Sequence, residues 1–172
     1  MDTTKIIKSL EENKETFISL LKGVSEEEII WKRNPNKWCM LEIICHLIDE
    51  EVEDFRTRIR VQLDSPGKFP PAIDPVGWVL ERKYLDQKFS EKLEQFVLER
   101  DKSIKWLQEL QNANWDNFYT HPKLGNLSAG FFLTNWLAHD YLHIRQITKL
   151  KYDYLSQLSE SKYRYAGVWV AD

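Results

Sequence analysis

The chain has 172 residues, of which 42% are hydrophobic and 30% charged, and its formal net charge is −3. This balance is typical of a soluble globular protein, so residues 1–172 are predicted to form a single domain. The scattered Lys and Arg residues form no basic patch, and no apolar run resembles a signal peptide or a membrane span. We therefore expect a cytoplasmic protein that binds neither nucleic acid nor a membrane.

Apolar residues recur with the spacing of a helix in four long segments. With only 6 Gly and 6 Pro, the composition also favours helices over a sheet with many turns. A short additional helix is expected from Ser25 to about Trp31, because Ser25 is a good N-cap and three Glu residues follow it. The four long predicted helices cover about residues 3–22, 39–62, 90–110 and 128–150.

The segments between these helices differ in length and composition. Residues 64–78 are rich in Pro and Gly, which predicts a long crossover between helices two and three. Residues 112–126 are rich in turn-forming residues and include His121 before Pro122. Residues 151–172 are interpreted as a tail that forms a short helix and an apolar strap over the bundle or over a partner subunit. The predicted fold class is all-α, a four-helix bundle.

His139 and His143 are four residues apart in an apolar run, so both rings lie on one side of helix four. Two imidazoles in this spacing can bind a metal ion, but the same spacing also occurs in ordinary helices. His46 lies on the apolar face of helix two and is the third ligand that the bundle would supply. The alternative is that these histidines are part of an ordinary core.

Several other polar residues have more than one interpretation. Asp49 and Glu50 follow His46 by three and four residues, so they orient the imidazole, bind the metal or are surface charges. His121 is either a fourth ligand or a surface side chain. Arg100 lies on the apolar stripe of helix three, where it is either an extended surface side chain or a buried partner of an acid.

Two sequence segments resemble the signatures of one known family. Residues 37–49 read KWCMLEIICHLID and resemble the W-S-x-x-E-x-x-x-H-L-x-D signature of the DinB-like (DinB/YfiT-like) superfamily. Residues 138–147 read AHDYLHIRQI and resemble its second signature, H-x-x-x-H-x-x-Q-I. Cys39 replaces the usual Ser, which weakens the helix N-cap but keeps Glu42. The resemblance covers roughly residues 3–150 and leaves out the tail.

The resemblance implies a bundle with up-down-down-up connections, commonly a homodimer, with one divalent metal on His46, His139 and His143. We expect zinc or nickel, since three imidazoles suit several transition metals. The leading hypothesis is a thiol S-transferase in which the metal activates a small-molecule thiol toward an electrophile. The alternatives are a hydrolase in which the metal activates water and a non-catalytic metal-binding stress protein. No catalytic residue is assigned, and Tyr141, Arg145 and Asp49 are candidates only for supporting the ligands.

Overall fold

A computed structural model of the protein describes residues 1–160, 163–167 and 169. Its elements in chain order are α1 (Thr3–Leu21), α2 (Glu26–Ile30), α3 (Met40–Asp49), a π-helical segment (Glu50–Phe55), α4 (Arg56–Asp64), α5 (Pro75–Glu81), a 3-10 turn (Tyr84–Asp86), α6 (Phe89–Glu109), β1 (Phe118–His121), β2 (Gly125–Ser128), α7 (Ala129–Leu158) and a second 3-10 turn (Tyr163–Ala166). The helix α3, the π-helical segment and α4 follow one another without a break. Together they correspond to the predicted helix two.

The helix ends agree with the capping residues in the sequence. Ser128 is the N-cap of α7, and its hydroxyl accepts a hydrogen bond from the Phe131 N–H at 3.0 Å. At the start of α3, the Glu42 carboxylate accepts a hydrogen bond from the Cys39 N–H at 2.9 Å. The Glu42 half of the capping arrangement is therefore present, although Cys stands at the N-cap position.

The long helices bury their apolar faces against one another. The helix α1 contacts α6 and α7, α3 contacts α6, and α4 contacts α7. Phe17, Ile43, Phe96 and Ile147 come from four different helices and share one apolar cluster. The predicted helical core is thus confirmed, while the up-down-down-up direction of the four helices stays a prediction. No helix in the described part of the chain is both long and apolar enough to cross a membrane.

The all-α prediction is wrong in one place, because residues 118–128 form an antiparallel hairpin of β1 and β2. Tyr119 pairs with Leu127, and both side chains are buried in the core beside the first half of α7. Each strand has only four residues, and half of the residues in the two strands are exposed. Such short strands carry too little alternation to be separated from a turn-rich loop. The fold is therefore mostly helical rather than purely helical.

Two predicted boundaries also require correction. The crossover between helices two and three contains α5, which begins with Asp74 as N-cap and Pro75 as first residue. The helix α7 continues to Leu158, eight residues beyond its predicted end at Leu150. No Gly or Pro interrupts this extension, and buried Tyr154 packs edge-on against Trp31 at 5.5 Å.

The tail returns to the surface of α7. The ring centroid of Trp169 lies 5.4 Å from that of Tyr152. This part of the tail therefore lies on the chain's own bundle, as one of the two interpretations of the strap predicts. The neighbouring Val168 and Val170 lie outside the described residues.

Candidate metal centre

The three histidines named from the sequence come together between α3 and α7. The Nε2 atom of His139 lies 3.1 Å from Nε2 of His46 and 3.1 Å from Nε2 of His143. The ligand atoms of the three residues all lie within 4.8 Å of one another. Since His139 and His143 are one helical turn apart and His46 faces them from the opposite helix, the fold arranges three imidazole nitrogens around one point.

Burial keeps these imidazoles neutral. Removal from water, together with the neighbouring His143, lowers the pKa of His46 to about 3 and that of His139 to about 2. Burial also lowers the pKa of His143, although its contact with Gln146 opposes the shift. A neutral imidazole has a lone pair available for a metal, so the three side chains are in the form that binds metal.

The hydrogen-bonding pattern of the rings fits a cation at their centre. The Nδ1 atom of His143 lies 2.9 Å from the Gln146 side-chain oxygen, which fixes the proton on Nδ1 and leaves the Nε2 lone pair directed at the other rings. The buried Nδ1 atom of His46 has no hydrogen-bond partner. The three Nε2 atoms, rather than this Nδ1 atom, converge on one point, and three imidazole nitrogens match the donor set of a divalent transition metal.

Aromatic side chains hold the rings in place. Trp38 lies with its ring centroid 4.7 Å from that of His46 and stacks on His143 at 6.4 Å with an interplanar angle of 7°. Phe55 lies 5.2 Å from His139. These contacts restrict ring rotation and keep bulk water from two sides of the cluster. We assigned no role to Trp38 or Phe55 from the sequence, since neither has a helical spacing that ties it to a histidine.

A cavity of about 490 Å³ opens beside His139 and is lined by Glu50. Glu50 is only 5% exposed, and its Oε1 atom has no hydrogen-bond partner. Burial raises its pKa to about 7, although nearby Arg58 opposes the shift. The surface-charge reading of Glu50 is therefore wrong, and its carboxyl group is available near the histidines without belonging to the cluster of converging ligand atoms.

The remaining lining of this cavity is mostly apolar. Arg58 and Asp54 form an ion pair at its wall, and His121 lies at the end of β1 on the other side. The Nδ1 atom of His121 accepts hydrogen bonds from the backbone N–H groups of Lys123 and Leu124, both at 3.2 Å. His121 is therefore a wall residue outside the three-histidine cluster, neither a ligand atom within it nor a plain surface side chain.

The other candidate supporting residues lie elsewhere. Asp49 accepts a hydrogen bond from the Tyr84 hydroxyl and pairs with Arg82 at 2.9 Å, so it fixes the crossover rather than a histidine. Tyr141 is 51% exposed, because a residue two positions after His139 points to the opposite side of the helix. Arg145 lines a different cavity, near Trp38.

Arg100 is the buried partner of two acids and not an extended surface side chain. Its guanidinium group donates to Asp140 at 2.7 and 2.8 Å and to both Glu51 oxygens at 3.0 Å. The Trp136 indole N–H donates to Glu51 at 3.2 Å, and the Asn13 amide donates to Asp140 at 3.3 Å. Burial raises the pKa of Glu51 although Arg100 opposes it. This network ties α1, α6 and the π-helical segment to α7 at the residue after His139.

The two cysteines take no part in the site. Cys39 and Cys45 are buried free thiols. Burial raises the pKa of Cys39 to about 11 and that of Cys45 to about 12, so both stay protonated near neutral pH.

Comparison with known proteins gives one family and one structural likeness. A family model described as the DinB superfamily matches residues 9–147. No curated protein sequence matches the chain. Among solved structures, the chain is similar to YfiT from Bacillus subtilis, described as a probable metal-dependent hydrolase with an unusual four-helix bundle topology. The TM-score is 0.76 and the identity 17%, over 86% of this chain and 85% of that chain.

Proposed function

The chain belongs to the DinB superfamily, and from this membership we propose that it is an enzyme that depends on a divalent metal, zinc or nickel, held by His46, His139 and His143. The observation that carries the proposal is the convergence of three neutral imidazole nitrogens, from the buried His46 and His143 and the partly buried His139, beside a cavity that also presents an unpaired carboxyl group. When bound, such an ion acts as a Lewis acid and lowers the pKa of water or of a thiol toward neutral pH.

Glu50 is the group that would accept the proton from the nucleophile. It lines the same cavity as His139, and its Oε1 atom is not used by any partner. In the metal-free protein burial raises the pKa of this carboxyl group to about 7, close to neutral pH, which suits a general base.

Hydrolysis is the reaction that these features support first. Water is a much weaker acid than a thiol, so a water nucleophile gains more from a neighbouring base such as Glu50. The likeness to YfiT, described as a probable metal-dependent hydrolase, points the same way. We expect the substrate to place its electrophilic carbon or phosphorus in the cavity beside His139 and Glu50.

Thiol S-transfer is the second candidate. The sequence signatures implied it, and the cavity of about 490 Å³ has room for a small thiol together with an electrophile. Its wall includes Phe132, Phe131 and Leu127, which suit an apolar electrophile. The homodimer implied by the family resemblance is also part of the proposal, and light scattering of the purified chain measures it.

Metal content of the untagged protein tests the proposal. Protein purified without chelator is analysed by mass spectrometry, beside the variants His139→Asn and His121→Asn. We expect about one zinc or nickel ion per chain in the parent and in His121→Asn, and almost none in His139→Asn. His121 is the matched control, because it lines the same cavity but lies outside the cluster. A parent that stays empty after zinc and nickel are added contradicts the proposal.

Activity then distinguishes the two reactions. The metal-loaded parent is assayed on activated esters without thiol, and on chlorodinitrobenzene with and without glutathione or bacillithiol. Glu50→Gln is expected to keep the metal and to lose about a hundredfold or more in the rate of hydrolysis. Turnover that requires a thiol and is indifferent to Glu50→Gln favours the transferase over the hydrolase.

A further inference from the structure

A second cavity, of about 350 Å³, lies along α7 on the Trp38 side of the histidines. Trp38, which stacks on His143, lines it, and so does Gln146, whose side-chain oxygen lies 2.9 Å from His143 Nδ1. The second cavity therefore reaches the residues in direct contact with the proposed ligand His143. None of its other lining residues takes part in the proposed chemistry.

The charge of this cavity is opposite to that of the whole chain. Four basic side chains line it, from Arg33, Lys37, Arg145 and Lys149, and the one acid among the lining residues is Asp153. Asp153 pairs with Arg33 at 3.2 Å and also with Lys149. The formal net charge of the chain is −3, so this basic excess is local rather than general. A concave site lined by one sign of charge attracts the opposite charge.

Apolar and aromatic surface lies among these cations. Trp38 and Leu150 form one part of the wall, and Trp169 from the tail forms another. The Lys149 ammonium lies 5.5 Å from the centroid of the Trp169 ring. Cations beside aromatic rings in a partly enclosed space suit an organic anion better than a fully hydrated inorganic ion, because the apolar part of the ligand is also removed from water.

Leu142 connects the two cavities, since it lines both of them. It is 60% exposed and lies on α7 between His139 and Gln146. The seven steps from His139 to Gln146 span about 10 Å along the helix. A single ligand that crosses Leu142 can thus place one end beside His139 and Glu50 and its other end among the basic residues.

We propose that the substrate is an organic anion, with its carboxylate or phosphate group in the basic cavity and its reacting atom beside His139. This inference rests on the proposed function for the reacting end, but the basic cavity itself can be tested without the metal. Lys37 and Lys149 are the residues that would bind the anionic group, and Leu142 would contact the connecting part of the ligand.

Binding of small probes tests the inference. Phenyl phosphate, phenylacetate, inorganic phosphate and the neutral benzyl alcohol are titrated by calorimetry into the full chain, both zinc-loaded and metal-free. We expect both aromatic anions to bind with and without zinc, and inorganic phosphate and benzyl alcohol to bind at least about fivefold more weakly. A preference for phenyl phosphate over phenylacetate, or the reverse, identifies the anionic group. High salt should weaken the binding of both anions.

Charge-neutralising variants locate the site. Lys37→Gln is expected to weaken anion binding about fivefold, and Lys37→Gln with Lys149→Gln to weaken it more than tenfold. Lys105→Gln, an exposed residue of α6, is the matched control and should leave the affinity unchanged. Chemical shifts of the Gln146 side-chain amide should move on binding in the parent.

Three results would overturn the inference. They are equal affinity for benzyl alcohol, no effect of the Lys37 and Lys149 variants, and anion binding that needs zinc and disappears in His139→Asn, which would place the anion on the metal. Metal content measured on the same samples separates this inference from the proposed function. A metal-free chain that cannot bind zinc but binds the anions through Lys37 contradicts only the proposed function.

Discussion

Two buried polar clusters lie next to each other on α7, and they differ in how their polar atoms are satisfied. Around Arg100, the guanidinium group contacts both Glu51 and Asp140, and these carboxylates also accept hydrogen bonds from other side chains. Around His139, the Nε2 atoms of three imidazoles face one another. In the first cluster the charged groups have oppositely charged partners within the protein, whereas in the second the three Nε2 atoms converge on one point that a cation would fill. The Arg100 cluster is therefore a structural feature and the histidine cluster a candidate binding site, although both consist of polar groups inside the bundle.

The largest effect is expected when the Arg100 cluster is broken. Arg100→Met leaves Glu51 and Asp140 buried without their cation, which should lower the free energy of unfolding by about 3–5 kcal/mol in urea denaturation. Arg56→Met is the matched control, because Arg56 pairs with Glu99 nearer the surface and its loss should cost about 1 kcal/mol or less. Equal losses for the two variants would show that the Arg100 cluster is not a scaffold.

Lowering the pH should reduce the free energy of unfolding of the metal-free protein, because His46 and His139 are neutral in the folded chain. His46 and His139 have folded pKa values of about 3 and about 2, below the unfolded value of about 6.5. The unfolded chain therefore binds protons first as the pH falls below about 6.5, and each histidine should remove up to about 1.4 kcal/mol of stability per pH unit. The raised pKa of Glu50, about 7, acts in the opposite direction, because the folded chain keeps that proton longer as the pH rises.

Urea unfolding between pH 5 and pH 7, a window around the unperturbed histidine value, measures this dependence. His139→Asn should make the acid loss of stability shallower, whereas Glu50→Gln should make it steeper because it removes the opposing term. A parent whose unfolding free energy does not change over this window would contradict the burial of neutral imidazoles.

The smallest expected effect is that of replacing Gln146, whose side chain contacts one of the three histidines. Gln146→Leu removes the hydrogen-bond partner of His143 Nδ1, and the affinity for zinc should fall about tenfold. Gln146→Glu keeps an acceptor at this position and should restore most of the affinity. Competition with a zinc-binding dye measures both variants, and equal affinity of the parent and Gln146→Leu would show that the hydrogen bond does not orient the ring.

The sequence predicted most of the long helices and all three histidines, because both depend on local spacing. His139 and His143 are one helical turn apart. His46 was predicted as the third ligand because it lies on the apolar face of helix two and within the first family signature. The status of Glu50 and Arg100 stayed open, because their burial depends on which residues of distant segments cover them. The Tyr119–Leu127 pair in the hairpin was missed, since its stability comes from contact with α7 rather than from the strands themselves.

The π-helical segment at Glu50–Phe55 changes the phase of the helix that carries His46. A π-helical turn behaves as one inserted residue, which rotates the following side chains by about 100°. The Thr57 hydroxyl donates a hydrogen bond to the Val52 carbonyl oxygen at 2.8 Å, which stabilises the altered backbone locally. The part of the helix before the π-helical segment can therefore direct His46 toward α7. The part after it can still direct Ile59 into the core. Deletion of one residue here should restore regular winding but turn one of these two faces away from its partner.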